Sequence, residues 1–168
     1  MENSLLLNVE EKLKLTFGEG VLSAEQHYDY PVFIVKSEII CDVIRFLYND
    51  EDLAFQYLTT LAGLHYPKNK GMELGVMYQL HNLVKNSRIR IKVFFSINNP
   101  SLPSITPVFS AANWMERETF DFYGINFKGH PNLKRILNME DMKYHPMLKE
   151  YPLEDGTRED KDDKMFGR

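Results

Sequence analysis

The chain has 168 residues, 43% apolar and 26% charged, with a formal net charge of −4 and one cysteine, Cys41. That length can bury a core without staples, and the acidic balance argues against a nucleic-acid footprint. A single thiol excludes an internal disulfide and a cysteine-ligated cluster, which fits a reducing, intracellular setting. The N-terminal MENSLLLNVEEKLK lacks a signal-peptide pattern, and no apolar run approaches the roughly 20 residues that span a bilayer. Membrane association is expected only through a partner or a surface contact.

In chain order, Ser4 is positioned to cap a first helix with Leu6, Val9, Leu13 and Phe17 on one face and Gly18 as its stop. Two strands follow, over 21–28 and 32–35, the second just after Pro31. Ser37 then caps a second helix whose stripe is Ile40, Val43, Ile44 and Leu47. Cys41 lies within it and reads as a small hydrophobe, with no basic neighbour to activate the thiol.

Residues 55–64 read as a strand and 67–71 as a turn. The clearest strands are 72–81, with Leu74, Val76, Tyr78 and Leu80 on one face, and 87–96, with Ile89, Ile91, Val93 and Phe95 on one face. A hairpin that buries both faces must oppose Leu80 to Ile89, Tyr78 to Ile91 and Val76 to Val93, because a one-residue slip would turn Arg90 inward. The outer face of the second strand carries Arg88, Arg90 and Lys92. This stripe reads as a solvated face, the alternatives being a strip for an acidic partner or phosphate, or an RNA-binding module.

Three prolines mark 98–107 as a loop, and Ser110 caps a third helix that stops at Gly124. Phe120 and Ile125 fall where the hydrophobic pair of a Schellman stop belongs. On this helix the 3–4 spacing of Ala111, Trp114, Met115, Glu118 and Phe122 places Glu118 on the apolar face. A carboxylate there needs a cation, with Lys134 or Arg135 as candidates, while Arg117 and Asp121 are spaced to pair along the surface. Residues 1–140 thus form one α+β domain: a mainly antiparallel, mixed sheet of four or five strands flanked by helices. From 141 to 168 the periodicity dissolves into an extended C-terminal arm, too apolar at Tyr144, Met147, Leu148, Tyr151 and Leu153 to be purely solvating. It is read as wrapping a partner.

No metal-ligand spacing, phosphate loop or dinucleotide fingerprint occurs. A hydrolase-like reading would use Glu116, Glu118 and His130, but two carboxylates at i and i+2 leave a helix on different sides.

The run ERETFDFYGINFKGHPNLKRIL, 116–137, resembles the signature of the C subunit of proton-pumping NADH:quinone oxidoreductase, bacterial respiratory complex I. The matching positions are Glu116, Arg117, Glu118, Asp121, Gly124, Ile125, Phe127, the Gly129-His130-Pro131 triplet and Arg135 to Leu137. Downstream, Asp141, His145, Pro146, Lys149, Tyr151, Pro152 and Leu153 resemble the family's closing motif. There Met142, Tyr144, Leu148 and Glu150 replace its Trp, Gly, Arg and Asp. The resemblance implies a subunit of an electron- and proton-transporting translocase with no catalytic, metal or cofactor-binding residue of its own. FMN, Fe-S clusters and quinone would sit in partner subunits. It would dock chiefly on the quinone-binding D subunit, and on the B and I subunits, peripheral to the inner membrane on the cytoplasmic side. The signature residues would then form the interface. An equivalent subunit of a ferredoxin-fed complex or a membrane-bound hydrogenase shares the signature.

Overall fold

The computed structural model describes residues 2–152. Helix α1 (Glu2–Phe17) buries Leu6, Val9 and Leu13, and Gly18 (φ +52°) ends it. Strands β1 (Val21–His27) and β2 (Tyr30–Val35) form an antiparallel hairpin. A 3-10 turn over Ser37–Ile39 leads into α2 (Ile40–Asn49), which buries Ile40, Val43, Ile44 and Leu47 as its period predicts. Strands β3 (Tyr57–His65), β4 (Leu74–Asn82) and β5 (Ser87–Phe95) follow, then β6 (Ser101–Pro103), α3 (Ala112–Tyr123) and β7 (Asn126–Lys128).

The three serine caps are not used as predicted. Helix α1 starts ahead of Ser4, and α2 and α3 begin after Ile39 and Ala111 with no side-chain cap. Serine near a helix start is a weak boundary marker when tertiary packing orients the first turn.

The main sheet has the order β1-β2-β5-β4-β3. Its β4/β5 register is the predicted one, Leu80 opposite Ile89, Tyr78 opposite Ile91 and Val76 opposite Val93. The sheet is mixed because β2 and β5 run parallel. Strands β6 and β7 form a second, two-stranded parallel sheet, so part of the expected 98–107 loop is a strand. Three residues interrupted by proline carry no readable period.

One sheet face carries the core. Leu74, Val76, Tyr78, Leu80, Ile89, Ile91 and Val93 are fully or almost fully buried, clustered with the inner stripes of α1 and α2. Helix α3 seats against β3, where Gly63, paired opposite Val76, lies directly under the Tyr123 ring. A methyl group at Gly63 would collide with that ring. Gly63→Ala is therefore expected to cost about 1–3 kcal/mol by overpacking. Urea denaturation of Gly63→Ala and of Gly63→Ala/Tyr123→Leu checks this, since the smaller side chain should restore part of the loss. An unchanged midpoint for the single variant would refute this seating.

Candidate functional site

Helix α3 presents a different face inward from the one its apolar residues predict. Ala112, Glu116, Thr119 and Asp121 are buried, whereas Glu118 is exposed and Trp114 is 58% exposed. The cause is non-local. Donors for one carboxylate come from the segment before the helix, and donors for the other from the loop after it.

Glu116 has no exposed surface. Its Oε2 accepts from the Ser104 hydroxyl at 2.7 Å and its Oε1 from the Ile105 amide at 2.8 Å. No cation pairs with it among the described residues. Burial pushes its carboxyl up to about 7, with the two donors pulling the other way. The fully buried Tyr78 hydroxyl lies in the same part of the core without a hydrogen-bond partner, and burial and then Glu116 push it well above the usual phenol range.

Asp121 is the second buried carboxylate. Its Oδ2 accepts from the amides of Ile136, Leu137 and Asn138 at 3.0, 2.8 and 2.9 Å. Its Oδ1 accepts from Arg135 at 2.7 Å and from the Asn138 side chain at 3.1 Å. Burial favours the protonated acid, but the Asn138 and Leu137 amides, the Arg135 guanidinium and the Ile136 amide together outweigh it. They hold the carboxyl well below the usual range. The partner of Arg135 is thus Asp121, not Glu118, and Lys134 contributes only its carbonyl, to Arg117. The expected Arg117–Asp121 surface pair is absent. Arg117 donates instead to the Lys134 and Arg135 carbonyls at 3.1 and 3.0 Å and stacks 5.3 Å from the Trp114 ring centroid.

Arg135 also reaches forward, donating to the Met142 and Tyr144 carbonyls at 2.7 and 2.9 Å. His145 Nδ1–H donates to the Asp121 carbonyl at 2.9 Å, which places the proton on Nδ1. The His145 ring lies edge-on to Phe120 and fills the space beside Gly124. Gly124 adopts φ +75°, and its amide donates to Phe120 O at 2.9 Å. That single bond is the αL closure rather than the Schellman form expected. Any Cβ at Gly124 would run into His145, so the glycine serves both the turn and the packing.

The chain from 141 to 152 therefore lies on its own domain. Met147 N–H donates to Phe122 O at 3.1 Å and Lys149 N–H to His65 Nδ1 at 2.9 Å. Leu148, which stands where the family motif has Arg, is buried. Tyr151 packs against Tyr144, and the Lys149 ammonium sits 5.5 Å from the Tyr66 ring centroid. The expected continuation of the arm from Leu153 to Arg168 lies outside the described residues.

His130 Nε2–H donates to the Asn113 carbonyl at 3.1 Å, while its Nδ1 accepts from the Asn132 amide. Glu116, Glu118 and His130 thus point to a buried loop, to solvent and to the start of α3. They do not converge, which removes the hydrolase reading. The structure brings together Asp121, Gly124, Arg135 and His145, and leaves Pro131 and Pro152 on the surface. Sequence reasoning missed Ser104, Asn138 and His65. The one available signal was the donor-rich Ser-Ile-Thr segment held between Pro103 and Pro107. The Cys41 thiol is half-buried, with Arg45 one turn on and 3.6 Å away, so a basic neighbour does exist. Burial nevertheless dominates and raises its pKa. No group of three or more potential metal ligands occurs among the described residues, and none of their helices is long and apolar enough to cross a membrane.

The arrangement is a brace. It fixes the 130–139 loop so that Leu137 and Met139 stand outward, 64% and 68% exposed, beside the outward Trp114 of α3. This fold and signature define a class of respiratory-complex subunit, and the family described as "Respiratory-chain NADH dehydrogenase, 30 Kd subunit" matches residues 33–157. The chain belongs to that family. It is 42% identical over 91% of its length to the NADH-quinone oxidoreductase C subunit of Roseiflexus sp. (strain RS-1), covering 86% of that protein. It is 40% identical over 80% of its length to the C subunit of the same enzyme from Caulobacter vibrioides, covering 67% of it. Of the C subunit from Nocardioides sp. (strain ATCC BAA-499 / JS614), 42% identical over the aligned part, it spans 48%. Among solved structures, it matches a trypsin-resistant fragment of Nqo5 with a TM-score of 0.63 at 27% identity, covering 74% of this chain and 98% of the fragment. A chain of an archaeal membrane-bound sulfane sulfur reductase shares the fold, with a TM-score of 0.72 at 17% identity over 88% of this chain and 85% of that one.

Proposed function

We propose that this chain is a structural subunit, without a redox centre of its own, of the peripheral arm of NADH:quinone oxidoreductase. In that role it helps hold partner subunits while electrons pass from NADH through their FMN and Fe-S centres to quinone, coupled to proton translocation. The observation that carries this reading is the brace. The matched signature is largely consumed in fixing the 130–139 loop from inside the domain, and Trp114, Leu137 and Met139 stand outward beside it as apolar anchors. Aromatic and long apolar residues standing on a rigid backbone suit an interface core.

The proposed neighbours are the quinone-binding D subunit first, then the B and I subunits, on the cytoplasmic side of the inner membrane. The exposed side chains Tyr144, Met147 and Tyr151 extend the proposed contact along the arm. An equivalent place in a ferredoxin-fed or hydrogenase-type complex is the second reading, supported by the fold shared with the archaeal respiratory complex.

Purification of the tagged chain in mild detergent tests the first reading. Cluster-bearing and quinone-binding subunits are expected to co-purify with NADH:quinone activity. Activity with reduced ferredoxin but not NADH would favour the second reading, and recovery of a lone monomer would overturn both.

A further inference from the structure

The outer sheet face, opposite the helices, is absorbed by neither the core nor the brace. The register lays Ile34, Lys92 and Met77 side by side across it, and Val32, Arg90 and Gln79 in the next row. Arg88, Arg90 and Lys92 alternate along β5 and so share this face at about 7 Å spacing, where like charges repel. None of the ion pairs among the described residues includes any of the three, and Glu25 on β1 is taken by His27 at 2.7 Å. Arg90 is already aligned, its Nε donating to Gln79 Oε1 at 3.0 Å and its guanidinium 5.6 Å from the Tyr30 ring centroid. The Gln79 amide nitrogen beside it is buried with no acceptor, so donors exceed acceptors on this face.

At one end of the basic row lies a hollow of about 460 Å³, lined by Leu22, Ile34, Met72 and Phe94 with Lys70 at its rim. The β1 register shifts between Val21 and Ser23, and Leu22, at that irregularity, is 51% exposed. A bulge is a common way to re-aim one side chain.

We propose that this face docks an extended acidic segment of a partner protein, its alternate carboxylates meeting Arg88, Arg90 and Lys92 and one apolar side chain entering the hollow beside Phe94. The period decides the occupant. Cations two residues apart on a strand match carboxylates two residues apart on another extended chain. The hollow calls for an apolar anchor, which a polynucleotide lacks, and the chain's net charge of −4 works against broad polyanion binding. This inference does not rest on which complex the chain serves.

The test uses the full chain and a labelled peptide alternating Glu with Ala and bearing one Leu, followed by fluorescence anisotropy. Binding is expected to weaken with salt, and Arg88→Glu/Lys92→Glu to weaken it about tenfold or more. Leu22→Ser is expected to weaken it in a salt-independent way, and Lys14→Gln, on the exposed side of α1 across the sheet, to leave it unchanged. If the double reversal fails to fold, Lys92→Gln alone serves. Zero-length amine–carboxylate cross-linking of the intact complex should join Lys92 or Lys70 to an Asp or Glu of another chain. Unchanged binding by the reversal variant, tighter binding to a poly-uridine RNA or to anionic phosphatidylserine vesicles, or absence of any such cross-link would overturn the proposal. None of these outcomes bears on co-purification with the cluster-bearing subunits.

Discussion

Asp121→Ala is expected to destabilise the protein by about 3–5 kcal/mol, the range for breaking a buried ion pair from one side. Arg135, with 9% of its side chain exposed, would keep its charge and lose its carboxylate. The amides of Ile136, Leu137 and Asn138 would lose their shared acceptor in the same change. Hydrogen exchange localises the effect. Protection at 136–138 should vanish while that of β4 and β5 falls only with global stability. By contrast, Glu118→Ala should stay within about 0.5 kcal/mol, as befits an exposed site. A loss below about 1 kcal/mol at Asp121 would show that the loop is held by something else. Because the Asp121 carboxyl is held below its unfolded value of 3.8, its contribution is present above that pH and is lost as the solution becomes strongly acidic. Asp121→Asn should therefore flatten the acid limb of the stability curve.

Glu116 carries the opposite sign. Its folded carboxyl titrates at about 7 against 4.5 for the free group, so the folded state binds the extra proton between those values. Stability from this group is complete below 4.5, falls as pH rises, and is gone above about 7. Glu116→Gln removes the titration while keeping an acceptor for the Ile105 amide and a donor for Ser104. The variant should match the parent near pH 4 and exceed it by about 3 kcal/mol at pH 8. Thermal melts of the two proteins across that range give the difference directly, cancelling the other carboxylates. A difference that does not change with pH would mean that Glu116 is solvated, and one that falls as pH rises would mean that it is paired with a cation.

These two carboxylates also show where sequence reasoning stops. The β4/β5 register was legible because alternation leaves one answer once both apolar faces must be inside. The inner stripes of α1 and α2 were legible for the analogous helical reason. On α3 the same rule turned Trp114 and Glu118 inward, the wrong way. Burial there is decided by whether each carboxylate meets donors, and those donors lie at 104–105 and 135–138, outside any helical window. The signature disclosed the family, but it did not disclose that Asp121, Arg135 and His145 face one another. The arm's lack of periodicity was real, yet residues 141–152 are ordered by bonds to α3 and His65 rather than by a pattern of their own.

The parallel pairing of β2 with β5 has a consequence for how the chain is made. Strands β1 and β2 form one local ribbon and β3, β4 and β5 another, and only three residue pairs, from Val32–Arg90 to Ile34–Lys92, join them into one sheet. The first ribbon leaves the ribosome long before its partner strand exists, and loop closure across that gap is entropically slow. Helix α2 and its four buried side chains must wait as well, since the sheet surface that covers them is not yet complete. The five-stranded sheet can therefore close only after synthesis has passed β5.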